Sequence, residues 1–415
     1  MRTALLSLLG FQLLAQAFQL ASGLIIVQSL AVRDYAVYTL FTAALSMLAL
    51  IADPGISQLF VSVASKFAED TRRERALAAA LVRKSVLGLC IAIAPVAAYF
   101  TSSLDAANGV RLGFAILLLA QATLASFERY VVARWNAARA LREFGYLQGL
   151  SAGIRLVCAV AAMSLLPRWP LAVSTLIAGS LATLCVSWGL GRDRMRLGVD
   201  PEARQSAGPD VGRVFRLLWP LLPGSLYAML AGQLPVLLAA KTADLAAVGE
   251  YGAVSRVGQI ILMLGLINSN VLNAHLASLH GQRRAIARTL GLVCAAYATA
   301  LTIVALATWA MPGLWSLVIG AQYGHLGSEP FWMIAICAAS LLQGAMYFAS
   351  LALETTRYQW LHIPGGLLAI AAFVAVHGWR VGSAAEMLQL GLVIAAASMV
   401  VQTLVVVRTI TSPPR

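Results

Sequence analysis

Long apolar runs, each near the length that carries a helix across a bilayer, alternate along this chain with short polar segments. Twelve runs are present, at about 5–30, 36–64, 85–101, 116–138, 144–166, 171–190, 215–240, 251–275, 286–311, 331–353, 358–376 and 387–407. The pattern predicts an all-α polytopic membrane protein with about 12 transmembrane helices. Composition agrees: 60% of the 415 residues are apolar and 11% are charged, too little polar surface to cover a soluble core.

The runs repeat as a block of six. "RDYAVY" (Arg33 to Tyr38) returns as "GEYGAV" (Gly249 to Val254), each between two apolar runs. The next basic cluster begins 31 residues after Tyr35, at Lys66, and 32 after Tyr251, at Arg283. "AARALREF" lines up with "ALETTRYQ", placing Arg142 over Arg357. Six is even, so both blocks enter from the same side and form a parallel repeat, an architecture of transporters. The expected organisation is a six-helix bundle at 1–190, a cytoplasmic linker at 191–213, and a second six-helix bundle at 214–415.

Charge sets the orientation. With the N-terminus inside, inner segments carry 22 Lys/Arg against 9 Asp/Glu, and outer segments 5 against 6. That asymmetry predicts both termini in the cytoplasm, and it accounts for the net charge of +13 as a topology signal rather than a nucleic-acid surface. "AQA" at Ala15 to Ala17 has the form of a cleavage site, but the apolar run continues to Leu30, too long for a signal peptide. The cysteines Cys90, Cys158, Cys185, Cys294 and Cys337 all fall inside apolar runs and read as buried thiols. Asp34 and Glu250 suit the positive end of a helix, and Tyr35 and Tyr251 suit the interfacial aromatic belt.

The stretch "LASGLIIVQSLAVRDYAVYTLFTAALSMLALIADPGISQLFVSVAS" resembles the start of bacterial polysaccharide flippases. In these, an apolar helix, a short loop ending in acid-Tyr-Gly/Ala-x-Tyr, and a helix carrying Ala-Asp-x-Gly follow in order. They are the O-antigen and exopolysaccharide repeat-unit flippases of the multidrug/oligosaccharidyl-lipid/polysaccharide exporter superfamily. Length, twelve runs and the repeat fit over the whole chain.

Charges inside apolar runs are costly and usually face a cavity or a partner. Glu128 and Arg129 fall about 15 Å above the inner end of the fourth run, and Arg155 about 16 Å above that of the fifth. They are expected at one depth on neighbouring helices. Either Glu128 pairs with Arg155 or Arg129 and holds the hairpin together, or one arginine is left to face an anionic substrate. Arg256 lies about 7 Å inside the eighth run, where snorkelling outward competes with a role in the cavity. Asp53 interrupts "ALIADPGIS" before Pro54 and Gly55, which are expected to break the helix. At the matching offset the second block carries Asn268, Asn270 and Asn273. Asp53 is the candidate for cation coupling, the alternative being an acid satisfied by backbone amides at the break. Gln12, Gln16 and Gln19 form a polar stripe on the first helix, suited to helix packing or to lining a cavity.

No Walker motif is present, and the five histidines (His275, His280, His325, His362, His377) are scattered, so neither a cofactor nor a metal is expected. The longest outer loop, 312–328, has one histidine and no carboxylate, which speaks against a membrane polymerase, ligase or glycosyltransferase. A multidrug–cation antiporter would favour uncompensated acids, whereas here three intramembrane arginines face two acids. The resemblance implies an inner-membrane flippase for a polyprenyl-diphosphate-linked oligosaccharide, working among membrane lipids, with polysaccharide polymerase and glycosyltransferases as functional neighbours.

Overall fold

The computed structural model describes residues 2–53, 71–102, 108–137, 141–165, 208–219, 222–265, 282–311, 313–353 and 360–411, with single positions at 179, 268, 272, 275, 276 and 279. Every regular element among them is helical. α1 (Arg2–Ser29), α2 (Val32–Ala52), α3 (Thr71–Thr101), α4 (Asn108–Ala137) and α5 (Leu141–Leu165) meet the first five apolar runs. The sixth run, 171–190, lies outside the described residues apart from Gly179. α6 (Gly208–Leu218) is a short helix ahead of α7 (Leu222–Thr242) and α8 (Leu245–Leu262). α9 (Arg283–Ala310), the small α10 (Leu314–Ile319), α11 (Glu329–Ala352), α12 (His362–His377) and α13 (Ala384–Thr411) complete the chain.

The helices exceed the apolar runs at their polar ends. α3 starts at Thr71, well before the expected 85, because backbone hydrogen bonding continues past the point where side chains turn polar. α9 and α13, at 28 residues each, extend about 42 Å, more than a hydrocarbon core of about 30 Å. Pro95 in α3 and Pro235 in α7 are carried inside helices, as membrane helices tolerate.

Among the described residues four stretches are long and apolar enough to cross a bilayer: Gly10–Ser29, Arg283–Ala310, Glu329–Ser350 and Ala384–Thr411. Shorter apolar helices run over Leu87–Thr101, Arg111–Ser126, Gln148–Ala162 and His362–His377. Large apolar side chains such as Ile91, Leu292, Ile303, Leu368 and Leu404 point outward and exposed. Such a surface belongs in lipid. The chain is a multi-pass membrane protein.

Two compact units divide it. The first comprises Met1–Leu30 and Val37–Met229, the second Ala31–Ala36 and Leu230–Arg415. In lipid, apolar burial gives helices little reason to associate, so close packing and interhelical hydrogen bonds hold them together. In the first unit α1 lies along α5, where Gly149 and Gly153, one turn apart, leave room for the rings of Phe11 and Phe18. α3 packs on α4, and Phe41 meets Phe114 edge to face at 5.2 Å.

In the second unit α11 is central, against α8, α9 and α13. Ala345, Ala349 and Ala352 give it a face of small residues, onto which Leu276, Ile286, Leu290 and Val406 pack. Gly258 of α8 sits directly against Met333 and Cys337. Gln402 of α13 donates to the Ser350 hydroxyl at 3.0 Å, tying two buried polar residues together.

Candidate functional site

α4 and α5 bring three polar side chains together within the first unit. Arg155 lies 3.5 Å from a Glu128 oxygen, and Ser151, one turn before Arg155, donates to the other oxygen at 3.3 Å. The helix rise had placed Glu128 and Arg155 at one depth, and the structure joins them. The pair is loose and not sealed: the side chains are 35% and 21% exposed. The Arg129 side chain lies outside what the structure describes.

Arg155 also lines a cavity of about 110 Å³ within this unit, room for a few waters or a phosphate-sized group and too small for a saccharide. Ser22 of α1, Tyr38 and Thr42 of α2, and Gln121 of α4 supply the other polar walls, with Ile26, Phe41 and Ala159 as apolar ones. A guanidinium surrounded by hydroxyls and an amide, with one carboxylate as partial counter-charge, is suited to an anionic oxygen-rich ligand. Sequence reasoning missed Ser22, Tyr38, Thr42, Ser151 and Gln121. Spacing held a signal for three of them. Tyr38 and Thr42 are one turn apart on α2, and Gln121 lies two turns before Glu128 on the same face of α4.

The glutamine stripe is adjacent to this cavity without lining it. Gln12 and Gln16 are half-buried and Gln19 is exposed, and Ser22 and Ile26 continue their spacing along α1. Asp53 is buried, one residue beyond the end of α2, and its N–H still bonds the Ala49 carbonyl at 3.1 Å. Pro54 and Gly55 lie outside the described residues.

In the second unit the polar residues are arranged differently. Arg256 donates through Nε to the Tyr35 hydroxyl at 2.7 Å and through a terminal nitrogen to Gln259 at 2.9 Å. Tyr35, expected in the interfacial belt, is fully buried instead, and its hydroxyl donates to the Gly252 carbonyl at 3.4 Å. The physical cause is the close approach of residues 31–36 to α8 within the second unit: a Cβ at Gly249 would collide with the Val32 carbonyl oxygen. The first turn of "RDYAVY" therefore rests on "GEYGAV", and the repeated motif packs against its own copy.

Asn268 is 3% exposed and closed on both sides. It donates to the Leu341 carbonyl at 2.9 Å and accepts from the Tyr297 hydroxyl at 2.8 Å. Asn270 and Asn273 lie outside the described residues. Between α10 and α11, His325 meets Glu250 of α8 at 2.9 Å. Burial pushes the nearby Tyr323 phenol above its ordinary range, Tyr35 and Glu250 add to that, and a hydrogen bond with Gln322 opposes it. Among the described residues no three His, Cys, Asp or Glu side chains gather as a metal site would require.

These helices define a class. The fold matches an inward-facing multidrug-resistance MATE family transporter of the MOP superfamily, with a TM-score of 0.67 and 13% identity over 95% of this chain and 93% of that one. It matches the lipid II flippase MurJ in an inward closed conformation equally well, with a TM-score of 0.67 and 11% identity over 97% and 87%. A MOP superfamily transporter from Pyrococcus furiosus, described as having a binding pocket of reversed polarity, gives 0.59 and 15% identity over 98% and 94%. At these identities the likeness establishes the fold of the MOP superfamily. No curated protein matches the sequence. The family model for polysaccharide biosynthesis proteins matches residues 4–272, and the chain belongs to that family.

Proposed function

We propose that this protein is a flippase that moves a polyprenyl-diphosphate-linked oligosaccharide from the cytoplasmic to the periplasmic leaflet for surface polysaccharide synthesis. Arg155, part-exposed on the wall of a polar cavity, carries the reading. A diphosphate needs a cationic partner where it leaves water, while a polyprenyl tail can stay in lipid. The family supplies the sugar context, and the lipid II flippase MurJ has the same fold. The fold is shared equally by a multidrug transporter, but an arginine on the cavity wall repels organic cations.

In this reading, two six-helix bundles, 1–190 and 214–415, alternate access around the substrate, with the 191–213 linker and both termini cytoplasmic and the protein in the inner membrane. The protein catalyses no covalent chemistry. Arg155 binds phosphate oxygens, with Arg129, Gln12, Gln16 and Gln19 near the same path. Energy comes from a downhill substrate gradient or from H⁺ or Na⁺ held at Asp53.

Flipping of a fluorescent lipid-linked oligosaccharide in proteoliposomes tests the reading. A charge-assisted hydrogen bond is worth about 1.5–3 kcal/mol, so Arg155→Ala is expected to slow flipping by roughly tenfold or more, and Arg155→Lys by less. Full flipping by Arg155→Ala, or efflux of organic cations by the wild type, would overturn it. Asp53→Asn separates the energy sources: loss of uphill transport with downhill exchange kept assigns coupling to Asp53, and equal loss of both removes it from that role.

A further inference from the structure

A second cavity, of about 270 Å³, lies within the first unit and takes no part in the arrangement around Arg155. Ile51 and Ala52 of α2, Leu218 of α6 and Leu222 of α7 give it an apolar wall. Lys84 of α3 also lines it, with the ammonium 4.8 Å from the centroid of the Phe215 ring. Lys84 is exposed, and among the described residues no carboxylate pairs with it.

Position along the helix fixes the depth. Lys84 stands three residues before the apolar stretch Leu87–Thr101 begins, so its charge falls at the level of lipid headgroups. α6 packs on α3 and is amphipathic: Val211, Val214 and Leu218 are buried at spacings of three and four, while Arg216 is exposed. Trp219 follows it, 77% exposed, as an interfacial indole would be. The charge is therefore at the polar boundary and the cavity wall is hydrocarbon-like.

We propose that this cavity holds an anionic glycerophospholipid, with its phosphate on Lys84 and part of one acyl chain against Ile51, Ala52, Leu218 and Leu222. Cation–π contact with Phe215 holds the ammonium at the cavity and leaves its N–H donors free for phosphate oxygens. Arg216 adds positive charge on the exposed face of the same helix. The wall offers one ammonium, one hydroxyl and one indole among the described residues. One ammonium at the edge of a hydrocarbon-like wall is the pairing that a phosphate on an acyl chain requires.

Native mass spectrometry of the purified full chain, titrated with dioleoyl phosphatidylglycerol, dioleoyl phosphatidylcholine or a polyprenyl diphosphate, tests the site. The wild type is expected to retain phosphatidylglycerol in preference to phosphatidylcholine. Lys84→Ala is expected to weaken that retention about fivefold, the factor for one basic residue at an anionic headgroup. Leu222→Trp, which fills the cavity and keeps the charge, is expected to lower it as well, while Lys84→Arg keeps it. Unchanged retention in both Lys84→Ala and Leu222→Trp, or equal retention of phosphatidylcholine by the wild type, overturns the proposal. Preference for the polyprenyl diphosphate overturns it too, by making the cavity part of the substrate path. None of these outcomes depends on flipping activity, so this site and the proposed transport stand or fall separately.

Discussion

Arg155 and Glu128 of the first unit stand 35% and 21% exposed, Arg155 on a cavity wall, whereas Asn268 of the second is 3% exposed between Tyr297 and the Leu341 carbonyl. Both are polar groups inside apolar helices, yet their hydrogen-bonding capacity is spent differently. Asn268 uses its amide nitrogen and oxygen on the protein, and Tyr35 both accepts from Arg256 and donates to Gly252. Glu128 and Arg155 meet at the long limit of a hydrogen bond, and the Arg155 side chain lines a cavity. A polar group whose partners are all protein reports on packing, while one aimed at a cavity reports on a ligand. Stability measurements distinguish the two without any transport assay.

The largest expected effect is at Gly249. A Cβ there would collide with the Val32 carbonyl oxygen, an atom of backbone that cannot rotate away. Gly249→Ala is expected to reach or exceed the upper end of the ~1–3 kcal/mol typical of overpacking. Thermal unfolding of the detergent-solubilised protein measures it. A variant as stable as the wild type would show that α2 and α8 are not clamped at this point.

Asn268→Ala comes next. It takes away the better acceptor of the Tyr297 hydroxyl, leaving the 3.4 Å contact with the Leu264 carbonyl, and removes the bond to Leu341, with an expected cost of ~1–2 kcal/mol. If flipping fell strongly while unfolding stayed unchanged, Asn268 would belong with Arg155, and the contrast between the units would fail.

Much of this was legible in the sequence, and the reason is periodicity. Helices longer than a membrane announce themselves as apolar runs, so α9 at Arg283–Ala310 falls within a few residues of the expected 286–311. The Glu128–Arg155 pairing was legible because helix rise converts position into depth, and adjacent antiparallel helices share it. Contacts between residues far apart in sequence were not legible. Nothing in the spacing says that Tyr35 meets Gly252 and Arg256, or that Lys84 covers Phe215, because these depend on which helix faces are brought together. The interfacial role expected of Tyr35 rested on its place at a helix start. The missing Cβ of Gly249 lets α2 come close enough to bury it.

The Tyr35–Arg256 contact gives a middle-sized effect. Tyr35→Phe and Arg256→Ala each remove a 2.7 Å hydrogen bond that is only part-buried, and each is expected to cost ~1 kcal/mol. Because both act on one bond, the double variant is expected to cost less than the two added together, with a coupling of at least ~0.5 kcal/mol. Strict additivity would mean that Arg256 serves something other than Tyr35, and its candidacy as a substrate ligand would return.

The smallest stability effect is expected at Arg155, where the transport effect is expected to be large. The pair with Glu128 is part-exposed and long, and such ion pairs are worth about 0–1 kcal/mol. Arg155→Ala leaves Glu128 with Ser151 as a donor and part-exposed, so no charge is sealed away from solvent. Unfolding should therefore shift by less than ~1 kcal/mol, and Glu128→Gln should do the same. Comparing both singles with the double variant settles whether the pair is a strut or a binding surface. A strut would make Arg155→Ala costly, by the ~3–5 kcal/mol of breaking a buried pair, and the double variant would recover stability by removing the stranded carboxylate. A binding surface leaves all three variants near wild-type stability, with transport lost wherever the guanidinium is missing. The part-exposure of both side chains and the place of Arg155 on the cavity wall favour the second outcome, because a strut that closed the hairpin would be sealed from solvent.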